Sequence, residues 1–378
     1  MAPELAAAKV SSLVKDAVVL DPMMGSGTFP LAAARSGHHA FGCDTDPLAL
    51  VIANTLASDY GLDDFLDAAE EVALMARGAG EVNIQVDQET SKFIDFWFDP
   101  QARSRLSALA FAIEKAPKHL SAPLWCAFSR LIIAKDSGAS RARDVSHSRP
   151  HRVRDTASFD PVARYLQSAR SVASRVLQSR GSEVGNGYFP IAPKILRADA
   201  RRLPFAEASV DAVMTSPPYL LAIDYLRGHR MSLVWMGYSI RYLRSLRSGN
   251  IGSEAGLAID PTLEVVAKSS FTGSLPERSQ RIVGRYVYDM NLVMAEIARV
   301  VRPGGPVSFV MADARMNGVE ISIEEILLRL ARRNGLVDRA RVSRELPESR
   351  RYLPPPRNSE GALGKRMKEE VILTFERS

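Results

Sequence analysis

The chain has 378 residues, 46% hydrophobic and 24% charged, with a net charge of +6 at pH 7. That composition excludes a disordered or collagen-like protein and is enough for one large domain with an insertion, or for two domains. No apolar run reaches the length of a membrane span, "MAPELAAAKV" lacks the apolar core of a signal peptide, and two cysteines, Cys43 and Cys126, cannot build a disulfide framework and fit a reducing cytoplasm.

Residues 18 to 21, "VVLD", read as a short buried strand ending in an acid. "PMMGSGTF" is then a glycine-containing turn, and "PLAAARSG" a helix stopped at Gly37. "HAFGCDTDP" gives a second strand ending at Asp44, and "PLALVIANTLASDYG" a second helix. This βαβα order predicts a parallel, doubly wound sheet.

The alternation then stops. Residues 57–193 hold mainly helical patterns: an acidic one from Asp59 to Glu71 with six acids and no Lys or Arg, then "SRLSALAFAIEK", "PLWCAFSRLIIAK" and "PVARYLQSARSVASRVLQSRG". The aromatic cluster of "FIDFWFDP" reads as the core of this helical part. Between its last two helices lies an arginine-rich segment without periodicity, "SGASRARDVSHSRPHRVRDTAS", hence a loop. From "KILRAD" the α/β rhythm resumes: strand "VDAVMTS", helix "DMNLVMAEIARVVRPGG", strand "PVSFVMAD", helix "EISIEEILLRLARRNG" and terminal strand "KEEVILTFER". The expected organisation is a sheet domain of residues 1–56 and 194–378, interrupted by a helical insertion at 57–193 that is a candidate recognition region for nucleic acid.

Three motifs carry chemistry. In "LDPMMGSGTF", Gly25 and Gly27 let the backbone pass close to a ligand, and the following helix start offers free N–H groups. Asp44 lies 19 residues past Gly25 at a strand end, where an acid accepts the hydroxyls of a ribose. The spacing is neither GxGxxG nor a P-loop. In "RADARRLPF", Asp199 follows a short strand and could accept from the amino group of an adenine. In "TSPPYLLAIDY", two prolines without backbone donors end a strand, so the carbonyls around Ser216 and Pro217 leave the ladder and Tyr219 offers a ring face.

Together these motifs resemble the S-adenosylmethionine-dependent amino-methyltransferases that act on DNA bases. Their glycine motif commonly reads D-P-x-x-G-S-G-T and their catalytic motif [D/N/S]-P-P-[Y/F/W]. The resemblance covers about residues 15 to 56 and 194 to 378. It implies a Rossmann-like class I fold with a mostly parallel seven-stranded sheet and helices on both faces. Carried over by residue, it implies that Asp21, Pro22, Gly25, Ser26, Gly27 and Thr28 line the methionine part of the cofactor. Asp44 holds the ribose, Asp199 the adenine, and Ser216, Pro217, Pro218 and Tyr219 the target base. The serine version of the catalytic motif is commoner among enzymes making N4-methylcytosine, with adenine N6 the next reading. A base in a duplex must be flipped out to be reached. Ring-carbon methylation of cytosine is disfavoured, since neither Cys43 nor Cys126 follows a proline.

Double-stranded DNA is the expected partner. Arg141, Arg143, Arg149, Arg152 and Arg154 form one basic cluster, with His147, His151 and a single acid, Asp144. Arg227 and Arg230 open a second cluster of five arginines running to Arg247. No metal site is expected, because neither cysteine has a Cys or His at ligand spacing and the two loop histidines lack a third ligand. The likeness to modification methylases adds a cognate restriction enzyme as a candidate partner. Two alternatives remain: an RNA base amino-methyltransferase, since "DPMMGSGT" also resembles RNA guanine-N2 enzymes, and an inactive nucleic-acid-binding protein of the same fold. The RNA enzymes usually carry an RNA-binding domain ahead of the glycine motif, for which the 20 residues before Asp21 leave no room.

Overall fold

The computed structural model describes residues 3–132, 137–143, 151–180, 189–218, 220, 225–253, 261–345 and 369–378. In chain order, α1 (Pro3–Val10) precedes β1 (Val18–Asp21), α2 (Thr28–Arg35), β2 (His39–Asp44) and α3 (Pro47–Ala57). Helices α4 (Leu62–Gly78), α5 (Gln88–Trp97), α6 (Pro100–Lys115) and α7 (Ser121–Ile132) follow. A two-residue antiparallel pair, β3 (Ala142–Arg143) and β4 (His151–Arg152), leads to the long α8 (Pro161–Arg180). Then come β5 (Lys194–Arg197), β6 (Ala212–Thr215), α9 (Tyr225–Leu233), α10 (Ile240–Ser248), α11 (Pro261–Ser269) and α12 (Glu277–Val300). The chain closes with β7 (Pro306–Met311), the small hairpin β8 (Ala314–Met316) and β9 (Val319–Ile321), α13 (Ile323–Arg333), β10 (Leu336–Glu345) and β11 (Glu369–Arg377).

These elements pack as two units. A sheet unit comprises Met1–Thr45, Phe189–Ala222 and Ser248–Ser378; a helical unit comprises Asp46–Tyr188 and Ile223–Arg247. The helical unit is therefore wider than the 57–193 segment that the sequence marks out, because α3, α9 and most of α10 pack with it. No helix of the described residues is long and apolar enough to cross a membrane.

In the sheet unit the strand order is β10-β11-β7-β6-β1-β2-β5. The five strands from β5 to β7 pair in parallel, while β11 runs antiparallel to both β7 and β10. Side chains alternate between the faces with the period of two that a strand imposes. Val19, Ala212, Met214 and Val310 meet α1 and α2 on one face. Leu20, Val213, Val307 and Phe309 meet α11, α12 and α13 on the other. This is a doubly wound, Rossmann-like α/β fold. Strands run outward from β1 to β5 in one direction and from β6 to β7 in the other, so the order reverses between β1 and β6. In open α/β sheets the crevice beyond the carboxyl ends of the strands at such a reversal is where ligands bind.

Two elements depart from the sequence reading. Helix α12 begins at Glu277 rather than at Asp289, because Ile282, Val283, Tyr286 and Val287 extend the same buried stripe as Met290, Val293, Met294 and Ile297. Strand β10 has no sequence signal, since Leu336 is its only buried residue. It is held by its ladder to β11 and carries the charges with which exposed edge strands avoid further pairing.

The helical unit has its own core, including Phe65, Trp97, Phe98, Leu109, Phe128, Tyr165 and Trp235. The aromatic cluster divides there: Trp97 and Phe98 are buried, whereas Phe96 is 50% exposed beneath the Arg152 guanidinium.

Candidate functional site

The turn after β1 is tied to the ends of two strands. The Met23 N–H donates to Asp21 Oδ1 at 3.1 Å, the Met24 N–H to the Cys43 carbonyl at 2.9 Å, and the Gly25 N–H to Asp44 Oδ2 at 2.9 Å. Gly25 has φ +53° and Gly27 φ +83°, the left-handed region in which a β-carbon is strained. A side chain on Gly25 would meet open space, so backbone conformation, not crowding, demands glycine there. Gly27 caps α2, and Thr28 is the first residue of that helix. Ser26 completes the turn, whose backbone hydrogen bonds to Cys43 and Asp44 place it against the end of β2.

Asp21 is 3% exposed and accepts a second hydrogen bond, from Thr215 Oγ1 at 2.6 Å, across from β6. Burial pushes its carboxyl up to about 7; Thr215 and the Met23 N–H oppose this, and nearby Asp44 adds slightly to it. Burial, then the charges of Asp21 and Asp44, push the Cys43 thiol up to about 12, which leaves a packed, unreactive side chain. Asp199 follows β5 and sits at a small turn. Its Oδ1 accepts from the Arg201 backbone N–H at 2.9 Å and from Arg201 Nε at 3.0 Å, and its Oδ2 from Arg201 Nη2 at 2.7 Å. Burial would raise this carboxyl, but the Arg201 hydrogen bonds and charge hold it below the usual carboxylate range. Arg201 in turn reaches Asp289 of α12 at 2.8 Å, a fully buried acid that also accepts from Arg285 at 3.0 Å and the Gly252 N–H at 2.9 Å.

At the end of β6 the two prolines leave the ladder. Ser216 Oγ donates to the Val310 carbonyl of β7 at 3.0 Å. Pro217 is buried and Pro218 exposed. Tyr219 lies outside the described residues. The structure thus brings Asp21, the glycine turn, Asp44, Asp199 and Ser216–Pro218 to the carboxyl ends of four adjacent strands, β1, β2, β5 and β6. Thr215, the Val310 carbonyl and the Arg201–Asp289 pair support these groups, and the sequence reading misses them. The threonine was visible one residue before the motif, but only the parallel pairing of β1 with β6 puts it against Asp21.

The donor set suits a cationic, hydroxyl-rich ligand carrying an amino group. Carboxylates end β1 and β2 and follow β5, and the left-handed glycine turn opens a space beside them. Beyond Asp44, Asp46 caps α3: its carboxylate accepts the Leu48 N–H at 2.9 Å and lies 2.5 Å from His229 Nδ1 of α9, inside the helical unit.

The arginines expected from sequence to contact phosphate lie on several elements. Arg141 donates to the carbonyls of Asp155, Asp95 and Phe96 at 2.8–3.3 Å. Arg152 pairs with Asp155 at 2.8 Å, and Arg154 donates to Ser158 Oγ and the Ala142 carbonyl. Arg141, Arg152 and Arg154 thus direct these donors to groups of the helical unit itself. Arg143 lies in β3, Arg149 lies outside the described residues, Arg227 is half-buried on α9, and Arg230 stacks over Phe93 at 5.1 Å.

No family model matches the chain. Two curated relatives do: the type II methyltransferases M.AvaI of a Nostoc strain and of Anabaena variabilis, each 22% identical over 84% of this chain and 72% of the relative. The chain is similar to these type II methyltransferases. Among solved structures, a SAM-dependent methyltransferase from Methanosarcina mazei aligns over 100% of this chain and 98% of that one, with 10% identity and a TM-score of 0.35. That score is too low to add to what the strand order establishes.

Proposed function

We propose that the protein transfers the methyl group of S-adenosylmethionine to an exocyclic amino group of a base in duplex DNA, N4 of cytosine first and N6 of adenine next. The observation that carries this reading is the convergence at the β1/β6 reversal: three acids, a left-handed glycine turn and a Ser-Pro-Pro turn whose prolines lack N–H donors share one rim of the sheet. The two DNA methyltransferase relatives support the choice of DNA.

S-adenosylmethionine supplies a sulfonium methyl, an electrophile that needs an aligned nitrogen lone pair. Asp21 and the turn from Pro22 to Thr28 hold the methionine end, Asp44 the ribose hydroxyls and Asp199 the adenine amino group. Because Asp21 is buried, a cation beside it stabilises the ionised carboxylate and draws its proton off.

An exocyclic amine is a poor nucleophile, since its lone pair is delocalised into the ring. Ser216 Oγ and the Pro217 carbonyl accept its two hydrogens, which draws the nitrogen toward sp³ and aims its lone pair. The Ser216 hydroxyl proton is already committed to the Val310 carbonyl, so Oγ faces the base as an acceptor. With the cofactor bound, these residues would hold the nitrogen in line with the sulfonium methyl; the nitrogen–methyl bond would form as the sulfur–methyl bond breaks, and the cationic amine so formed would release one proton to solvent. Alignment and fixed dipoles supply the acceleration, without a covalent enzyme intermediate. Tyr219, assigned from sequence, stacks on the flipped base.

The test is tritiated methyl transfer to DNA and to RNA, followed by nucleoside mass spectrometry. N4-methylcytosine in DNA is the expected product, and N6-methyladenine would move the assignment to the other base. Label appearing only in RNA would overturn the DNA reading.

A further inference from the structure

Helices α7 and α8 together carry five arginines and no Asp or Glu. Two of the five have protein partners. Arg180 donates to the Ser58 and Tyr60 carbonyls and lies over the Tyr60 ring; Arg164 bonds Gln167 and lies over Phe159. The other three, Arg130, Arg170 and Arg175, line an open groove of about 560 Å³ with Ser171, Ser174 and Gln178. Among the described residues, none of these three guanidinium groups has a hydrogen-bond or ion-pair partner.

The core does not require this arrangement. Residues 170, 171, 174, 175 and 178 form one stripe of α8. Its opposite stripe, Tyr165, Ala169, Val172, Ala173 and Val176, is the one buried in the helical unit. Elsewhere exposed arginines sit on carboxylates, as Arg329 does on Glu325 and Arg341 on Glu324. In the groove like charge meets like charge: lost hydration and then the Arg175 charge lower the proton affinity of Arg130. An anion seated between them would relieve that repulsion.

We infer that this groove binds the phosphodiester backbone of duplex DNA. Arg170 and Arg175 are five residues apart on this stripe, about 7.5 Å along the helix axis, so each can meet a separate phosphate. Planar guanidinium groups match phosphate oxygens bidentately, and Ser174 adds a hydroxyl between them. Among the described residues no aromatic side chain lines the groove, so these offer nothing for unpaired bases to stack on. That favours a duplex backbone over single-stranded RNA. The choice of DNA rests on the methyltransferase reading above; the anion chemistry does not.

The experiment compares the full chain with Arg130→Gln/Arg170→Gln/Arg175→Gln and with an equally charge-depleted control, Arg77→Gln/Lys92→Gln/Lys118→Gln, whose residues are exposed elsewhere on the helical unit. Affinity for a labelled duplex is read by fluorescence anisotropy from about 50 to 200 mM salt. The groove variant is expected to lose affinity tenfold or more and to flatten the log–log salt slope by about 2 to 3, at about 0.9 per phosphate contact. The control should keep the wild-type slope, and circular dichroism should show all three chains equally folded. An unchanged slope in the groove variant, or an equal loss in the control, overturns the inference. Groove-dependent binding of single-stranded RNA with none of duplex DNA overturns the DNA assignment. A wild-type chain that binds DNA through the groove yet methylates none would sink the methyltransferase reading and leave the groove standing.

Discussion

The strand ends of the sheet unit and the α7/α8 groove treat polar side chains in opposite ways. At the strand ends every key group is already held: Asp21 by Thr215, Asp44 by the Gly25 N–H, Asp199 by Arg201, Ser216 by the Val310 carbonyl. In the groove, three arginines have no hydrogen-bond or ion-pair partner among the described residues. A reacting centre needs its groups fixed to fractions of an ångström before substrate arrives, because alignment is the catalysis. A surface for a polyanion needs accumulated charge and tolerates loose geometry. Prepaired and unpaired polar groups thus mark two kinds of work.

The comparison can be broken at several points. The largest stability effect is expected at Asp289, whose buried carboxylate neutralises Arg201 and Arg285. Asp289→Ala strands the Arg285 charge and leaves Arg201 only Asp199, and should cost about 3–5 kcal/mol in chemical unfolding. A loss under about 1 kcal/mol would mean that the network tethering Asp199 is dispensable. Next, Ser216→Ala and Tyr219→Ala should each lower methyl transfer by about 10²–10³-fold while cofactor affinity in calorimetry holds. Loss of cofactor binding in either would undo the division of roles.

Asp21 offers a pH test of intermediate size. Its carboxyl rises from 3.8 to about 7 on folding. The stability linked to the protonated form is therefore fully present below 3.8 and lost as pH rises through about 7. Asp21→Asn removes that loss. Relative to wild type, the variant should gain about 2–3 kcal/mol between pH 5 and pH 8 in the unliganded state. A flat difference across that window would show Asp21 to be ionised throughout. In wild type, cofactor binding should tighten as pH rises through 7, with a proton released on binding below it. The smallest effect sharpens the contrast between arginine clusters. Arg141→Gln, which loses bonds to backbone carbonyls, should cost about 0.5–1.5 kcal/mol of local stability. The DNA salt slope should stay nearly unchanged, unlike that of the groove variant; a large drop would make Arg141 a phosphate contact after all.

Legibility in the sequence followed the backbone. Strands β1 and β2 are short, mostly apolar runs ended by Asp21 and Asp44, β5 stops two residues before Asp199, and β6 runs into the Ser-Pro-Pro turn. Helix α8 was equally plain from its buried stripe. Strand β10 was not, because an edge strand is held by ladder hydrogen bonds and carries exposed charges that look like loop. The start of α12 was lost behind the arginines at 278, 281 and 285, whose buried neighbours show only in three dimensions. The membership of α3 and α9 in the helical unit likewise came from packing, since both lie outside the segment that composition marks.

By itself the sequence determined the βαβ rhythm, a glycine-containing turn after β1 and a Ser-Pro-Pro exit from β6, because hydrophobic periodicity is local and the proline ring fixes φ and removes its N–H whatever the surroundings. Only the tertiary structure decided which arginines are spent on carbonyls and which stand open. It alone placed Thr215 against Asp21 and turned the Ser216 hydroxyl onto Val310. Those outcomes depend on contacts between residues up to 194 apart, which no local pattern records.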